Sequence, residues 1–592
     1  MTWRLNLPVK LNSAAFLLFA SGSIGFILGW CNATWQASVE TGQVIAGLVV
    51  YPPFAPSFLY HQHAYSFINQ FTALLLILFK SEILVSKIVS ALLGMLSFQA
   101  LATIIFALNR NMLLSFLGCL FIYFFRLCWD GVVYPIELLG SQHTYGVAAL
   151  SFIVLTCGLI GCGSFRLGLF CLGAAVSVHV TLGLFLLGVM FLTFFFQYKS
   201  VKDVLKEYYR FLFLGFAFSA ASIGVHYYWM HLFPALPDKD AGNYMQSYIT
   251  YWDFHRQKFY WNYATGHWQF LKPGVILCLW SMAVAAMGIR MFAQDKSRRF
   301  LFWAVFVAGV LSLLSAALTH LPPIGPIRML LLGMPGRLIN FNIFVCTALF
   351  FGILTSEPLQ KHKTNFLVYL LFLFTTFIPR PMIKMACLFL LSIVWFSLSL
   401  VKGEMASFRG KILAWLGAHD LLWKQTKTVL YATVLCAAIT LLLVLQPTRR
   451  ITISPPLQDR TNNATWGAIS KRAKLLLVST DFWLVPVLTR IPILIDPAAL
   501  DAIPMVPESN RWNDVLKKVY GVDLTVPPPI PFRNQGVVAS ERYKGLWEKR
   551  SVAEWQSLKK EYGVSHVLTK RDWRLSLPLA FEAKHISLYS IP

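Results

Sequence analysis

The sequence predicts an α-helical polytopic membrane protein, with about thirteen transmembrane helices, that ends in a small soluble α/β domain. Three observations carry this. Hydrophobic residues are 57% of the 592 and charged residues only 13%, against about 25% charged in soluble globular domains. Mean hydropathy is +0.60. Apolar runs of spanning length recur through residues 1–446, and after Pro447 the pattern changes to short apolar strands and amphipathic helices.

The runs lie at 13–30, 66–80, 83–108, 112–127, 145–163, 167–196, 211–230, 274–291, 300–319, 339–356, 365–380, 383–401 and 429–446. A helix needs about 17–25 such residues to cross a bilayer. Arg4 and Lys10 precede the first run without a convincing small-residue cleavage site, so it reads as an uncleaved anchor. The segments 197–210, 290–299 and 402–427 are rich in Lys and Arg and are expected on the cytoplasmic side. With the N-terminus inside, thirteen crossings place all three inside and the C-terminal domain outside. Outer loops then fall at 31–65, 231–273 and 320–338.

The loop 127–144 is the exception. A strict count puts it in the cytoplasm. A split or re-entrant segment within 83–126 would turn it outward, with a compensating break in 167–196, which is long for one helix and holds His179. Both arrangements stay open on the sequence.

In 447–592, KLLLVS (474–479), RIPILID (490–496) and VSHVLT (564–569) read as strands, and 513–520 and 551–562 as helices. Ser551 and Glu554 fit a capping box, and Gly563 is a helix stop. All ten cysteines precede Pro447, so no disulfide framework is expected in this domain. The net charge is +25, but the basic residues are scattered over short loops. That pattern argues against nucleic-acid binding.

The stretch 31–70, directly after the first run, is too polar and too broken by Pro52, Pro53 and Pro56 to cross a membrane, and too aromatic for a loose linker. It suggests a site held at the membrane surface. Removing a proton from a hydroxyl there requires a carboxylate or histidine. Glu40 is the best-placed candidate; its bland reading is a favourable charge at a helix N-terminus. Asp130 and Glu137 join it if loop 127–144 faces outward. His61, His63, His143, Asp253 and Arg256 are the candidate substrate-binding residues. For Asp253, a local salt bridge with His255 or Arg256 competes with that role. For His143, and for His179, a neutral ring bonded to a backbone carbonyl competes. Arg337, at the mouth of an apolar helix, is placed to pair with a lipid phosphate or to snorkel to headgroups. The sequence has no Gly-rich phosphate loop, no GxSxG and no HExxH.

In layout, and in VETGQVIAGLVVYPP, GSQHTYG and SVHVTLG, the chain resembles a bacterial branch of the GT-C superfamily of membrane glycosyltransferases. The resemblance implies inverting transfer of a sugar from a polyprenyl-phosphate-linked donor to a hydroxyl of a glycan or other acceptor at the outer face of the bacterial inner membrane. It implies Glu40 as general base, Asp130 and Glu137 as second-loop acids, and Arg337 as the donor-phosphate contact. It implies no cofactor other than a divalent metal, Mg or Mn, which many members hold. The chain lacks the aspartate of the family's first-loop acidic pair. Two other readings remain: a non-catalytic relative serving as an assembly partner, and a transporter. Against the latter, no paired half-repeats with broken helices are evident.

Overall fold

The computed structural model describes residues 11–125, 144–198, 201–232, 247–248, 252, 261–262, 267–268, 273–318, 321, 327, 330, 333, 338–356, 363–375, 378, 381–400, 433–435, 463–482, 484–496, 503, 511–527 and 540–592. They form a helical bundle and a small mixed sheet.

The bundle starts from helix α1 (Leu11–Cys31). The outer stretch then folds into α2 (Ala37–Ile45), α3 (Pro56–His63) and α4 (Phe67–Phe79). Next come α5 (Glu82–Asn109), α6 (Met112–Phe125), α7 (Thr144–Gly161), α8 (Phe165–Val178), α9 (Val180–Tyr198) and α10 (Val201–His231). The series continues with α11 (Pro273–Met291), α12 (Lys296–Leu318), α13 (Leu338–Leu354), α14 (Lys363–Thr375) and α15 (Pro381–Leu400). Among the described residues, five helical stretches are long and apolar enough to cross a membrane: Glu82–Asn109, Thr144–Gly161, Val180–Gln197, Lys206–His231 and Lys296–Ser315. Shorter apolar helices accompany them.

Helices α1 and α5 pack antiparallel through small residues. A Cβ on Gly25 would stand 2.4 Å from the Gly94 carbonyl, and one on Gly29 equally close to that of Ser90. Such residues let backbones approach where there is no water to drive association. Because α1 ends where α5 begins, Cys31 and Glu82 lie on one face, together with α2 and α3. Asn109, at the far end of α5, bonds Thr355 just after α13 (3.1 Å) on the opposite face.

This geometry resolves two segments of the sequence differently from the count of apolar runs. The run 66–80 becomes α4, which leaves and returns on the α2 face. Ser66 Oγ donates to the Val178 carbonyl at its start (2.8 Å), and Arg490 donates to the Lys80 carbonyl at its end (3.2 Å). The run 167–196 is two helices. His179 is extended (φ −156, ψ 108), and its Nδ1 accepts from the Leu182 N–H (3.4 Å), capping α9. His179 therefore caps a helix. Thr144, following loop 127–144, bonds Gln36 and Ser38 on the α2 face.

The C-terminal part contains α16 (Asn463–Ser470), α17 (Val485–Thr489), α18 (Arg511–Val515), which continues as a π-turn over Leu516–Tyr520, α19 (Ser540–Lys549) and α20 (Val552–Tyr562). Two short strands, β1 (Trp261–Asn262) and β2 (His267–Trp268), pair earlier in the chain. The main sheet is built from β3 (Leu476–Val478), β4 (His566–Lys570), β5 (Leu579–Glu582) and β6 (Ile586–Ser590), in the order β3-β4-β6-β5. Only β3 and β4 run parallel. The expected strand 490–496 makes a single bridge, Leu476 to Ile493. The capping box of Ser551 and Glu554 is formed, and Gly563 has φ +66, so the last helix begins and stops where the sequence places it. Trp512, Tyr520, Tyr543, Trp547, Trp555 and Trp573 form an aromatic core beside the sheet.

Candidate functional site

Glu40 lies in the first turn of α2, where the carboxylate suits the helix dipole. Its surroundings go beyond that bland role. Neighbouring helices hold α2 rigidly. Gln36 donates to Ser90 of α5 (2.8 Å) and accepts from Thr144 of α7 (2.9 Å), and Thr72 of α4 donates to Ser38 (3.3 Å). A Cβ on Gly42 would touch Thr72 at 3.0 Å, so α2 and α4 are in close contact.

Glu40 is 2% exposed, and its Oε1 accepts no hydrogen bond among the described residues. Its carboxyl lies beside that of Asp496, which arrives from the C-terminal domain and is fully buried. Two buried carboxyls side by side favour holding a proton. Burial, then the charge of Asp496 and the bond to it, push the Glu40 carboxyl well above its usual range. Asp496 is fixed through its backbone: its N–H donates to Ser57 Oγ (2.8 Å), which itself donates to the Leu494 carbonyl (3.2 Å). Arg490 on the same segment makes a bidentate pair with Glu82 (2.7 and 3.1 Å), and Gln43 of α2 also donates to Glu82 (3.1 Å). Glu82 therefore sits against the C-terminal domain, because α4 does not carry the chain to the opposite face.

Aromatic groups surround this site. Tyr51 and Tyr60 are held protonated, pushed up first by burial. Tyr145 donates to Asn69 (2.6 Å) and, at 3.4 Å, to Thr41. His61 is fully buried on α3, with Nδ1 3.0 Å from Thr41 Oγ1 and its ring against Tyr51 and Tyr60. Burial, with the nearby His226, lowers it to about 3, so it is neutral at physiological pH. His226 reaches the His61 carbonyl (3.2 Å).

Of the residues expected from sequence, Glu40 and His61 are both buried, and His61 bonds Thr41, the residue after Glu40. His63 turns back on its own helix, with Nδ1 2.9 Å from the Leu59 carbonyl, and packs on Tyr65. Asp130, Glu137, His143, Asp253, Arg256 and Arg337 lie outside the described residues. Among the described residues, no group of three His, Cys, Asp or Glu is arranged to hold a metal. Sequence reasoning missed Asp496. Its signal was a lone carboxylate closing the apolar run RIPILID, where a surface residue would not be expected.

One further feature lies deeper in the bundle. Leu150 and Ile153 of α7, Leu182 and Leu186 of α9, and Leu338, Asn340 and Phe341 of α13 line a small cavity of about 10 Å³. The chain matches no protein-family profile and no curated protein.

Proposed function

We propose that this chain is a membrane glycosyltransferase of the GT-C type, using a polyprenyl-phosphate-linked sugar at the outer face of the bacterial inner membrane, with the C-terminal domain on that side. The observation that carries the reading is Glu40. It is a buried carboxyl with one oxygen without a partner among the described residues, held in the segment after α1 and covered by the C-terminal part. A general base works best when its proton affinity is raised toward the working pH.

In this reading the C-terminal domain shifts to admit the acceptor. Asp496 keeps the shared proton and Glu40 takes the proton of the acceptor hydroxyl. The hydroxyl oxygen attacks the anomeric carbon from the face opposite the phosphate, the carbon–phosphate-oxygen bond breaks, and the configuration inverts. The lipid phosphate leaves with the bond's electron pair, its charge met by Arg337. Thr144 on the α2 face supports an outward loop 127–144, which brings Asp130 and Glu137 to the same side. Counting α4 as no crossing and 167–196 as two keeps thirteen crossings with the C-terminal domain outside.

The test is turnover of lipid-linked sugars by purified variants. Glu40→Gln keeps size but accepts no proton, and is expected to lose about 10²–10⁴-fold, roughly 3–5 kcal/mol of barrier, while still binding donor. Glu40→Asp is expected to retain part of the activity. Turnover of Glu40→Gln at the parent rate refutes Glu40 as the base.

A second reading, a non-catalytic assembly partner, is favoured by the closure itself: Glu40 is 2% exposed and pinned by Asp496. There the carboxyl pair only docks the domain, and donor binding without turnover is its signature. A transporter reading would require solute flux without sugar transfer.

A further inference from the structure

Helix α4 has 13 residues, about 20 Å at 1.5 Å per residue, against about 30 Å of bilayer hydrocarbon. Both its ends lie on the α2 face, as the bonds of Ser66 to Val178 and of Arg490 to Lys80 show. Each end is a built terminus. Ser66 caps the first turn by accepting from the Ile68 N–H, and Lys80 closes the last in the left-handed conformation at φ 51. The helix is two-sided. Asn69, Thr72, Ala73, Leu75 and Leu76 are buried toward the protein, while Leu74, Ile77, Leu78 and Phe79 are 52%, 57%, 63% and 47% exposed.

That face is too apolar to lie in water. It is also continuous with a surface that is lipid-facing if the bundle spans a membrane. Phe67, at the start of α4, packs edge-on against Phe218 of α10 at 5.2 Å. Helix α10 is one of the stretches apolar enough to cross, and it exposes Phe213, Leu214 and Val225. Lys80 is exposed at the end of α4, where a charged amine reaches headgroups while its stem stays among chains.

We infer that α4 is an interfacial helix that crosses nothing: it lies at the headgroup–acyl boundary of the leaflet on the C-terminal side, with Leu74, Ile77, Leu78 and Phe79 seated among lipid chains. Such helices bind through apolar area plus polar flanks and sit about 5–10 Å into the boundary. The occupant of this face is lipid. Helix α4 thereby fixes α2, and with it Glu40, at a set depth, whatever reaction the chain performs.

The test uses the full chain in sealed membrane vesicles and a membrane-impermeant maleimide, with the parent as blank. Lys80→Cys is expected to label on the same side as Val50→Cys, an exposed position that precedes α4, and Met112→Cys on the other. Labelling of Lys80→Cys on the side opposite to Val50→Cys overturns the inference. In a second measurement, a fluorophore on Leu78→Cys is quenched by spin-labelled lipids. A label near the headgroup is expected to quench about twofold more than one near the chain end, given the shallow depth of interfacial helices. Stronger quenching from the chain end would mean a crossing helix. No quenching by either would mean that protein, such as a second copy of the chain, covers the face. The first result refutes the interfacial placement and the second the lipid assignment, and neither depends on glycosyl transfer.

Discussion

Asp496→Asn is the most informative single change in the closed site. Glu40 and Asp496 are both buried side by side, and burial beside a second carboxyl favours keeping a proton on the pair. The unfolded chain gives that proton up above about pH 4.3. Between the ordinary carboxylate range and the raised value of Glu40, the folded state therefore binds more protons than the unfolded one. By linkage this contribution to stability is full below the window and is lost as pH rises through it, by at most about 1.4 kcal/mol per pH unit per proton. The asparagine amide keeps the bond to Ser57 through the backbone and offers an N–H to Glu40 without a proton to share. The repulsion by Asp496 disappears and burial remains, so Glu40 falls only part of the way back. A hydrogen bond to a charged group contributes about 1.5–3 kcal/mol, and the variant is expected to gain on the order of that at neutral pH. The assay is thermal unfolding of the purified full chain at several values between about pH 5 and 8, the range where most proteins are near their maximum stability. The expected result is a flatter alkaline side and higher stability above neutrality. A variant that melts lower than the parent at every pH, with the slope unchanged, refutes the shared proton.

His61 supplies the opposite slope. Its folded value, near 3, lies below the ordinary histidine value, so stability is present above about pH 6.5 and is lost as pH falls. His61→Gln is expected to remove that acid-side loss in the same melting series. Arg337→Lys is expected to weaken binding of a polyprenyl-phosphate donor, and Arg337→Ala more so, because one ammonium cannot replace a planar fork; equal binding in all three leaves Arg337 as an anchor. Gly25→Val places a side chain where a Cβ already meets the Gly94 carbonyl at 2.4 Å, and overpacking of this kind costs about 1–3 kcal/mol, read as a loss of folded protein in detergent. Arg490→Ala removes the bidentate pair with Glu82 at a half-exposed site, at a cost of up to about 1 kcal/mol. It is expected to raise hydrogen exchange over 490–496 without unfolding the bundle.

The sequence by itself determined the helical, apolar character of the first part and the change at Pro447, because composition and run length report directly on how a segment partitions from water. It also located the last helix to the residue. The capping box of Ser551 and Glu554 and the left-handed stop at Gly563 depend on neighbours a few positions away. It singled out Glu40 by elimination among scarce carboxylates. Only the tertiary structure decided that 66–80 turns back on the α2 face and that 167–196 breaks at His179. An apolar run has the same summed hydropathy lying flat or upright, and the difference comes from what holds its two ends. The same limit hid Asp496. Its partner lies hundreds of residues earlier, and the pairing exists because Ser57 and Glu82 seat the 490–496 segment over α2. Nothing local to RIPILID encodes that contact, whereas the fold encodes it through the docking of one domain on the loop of the other.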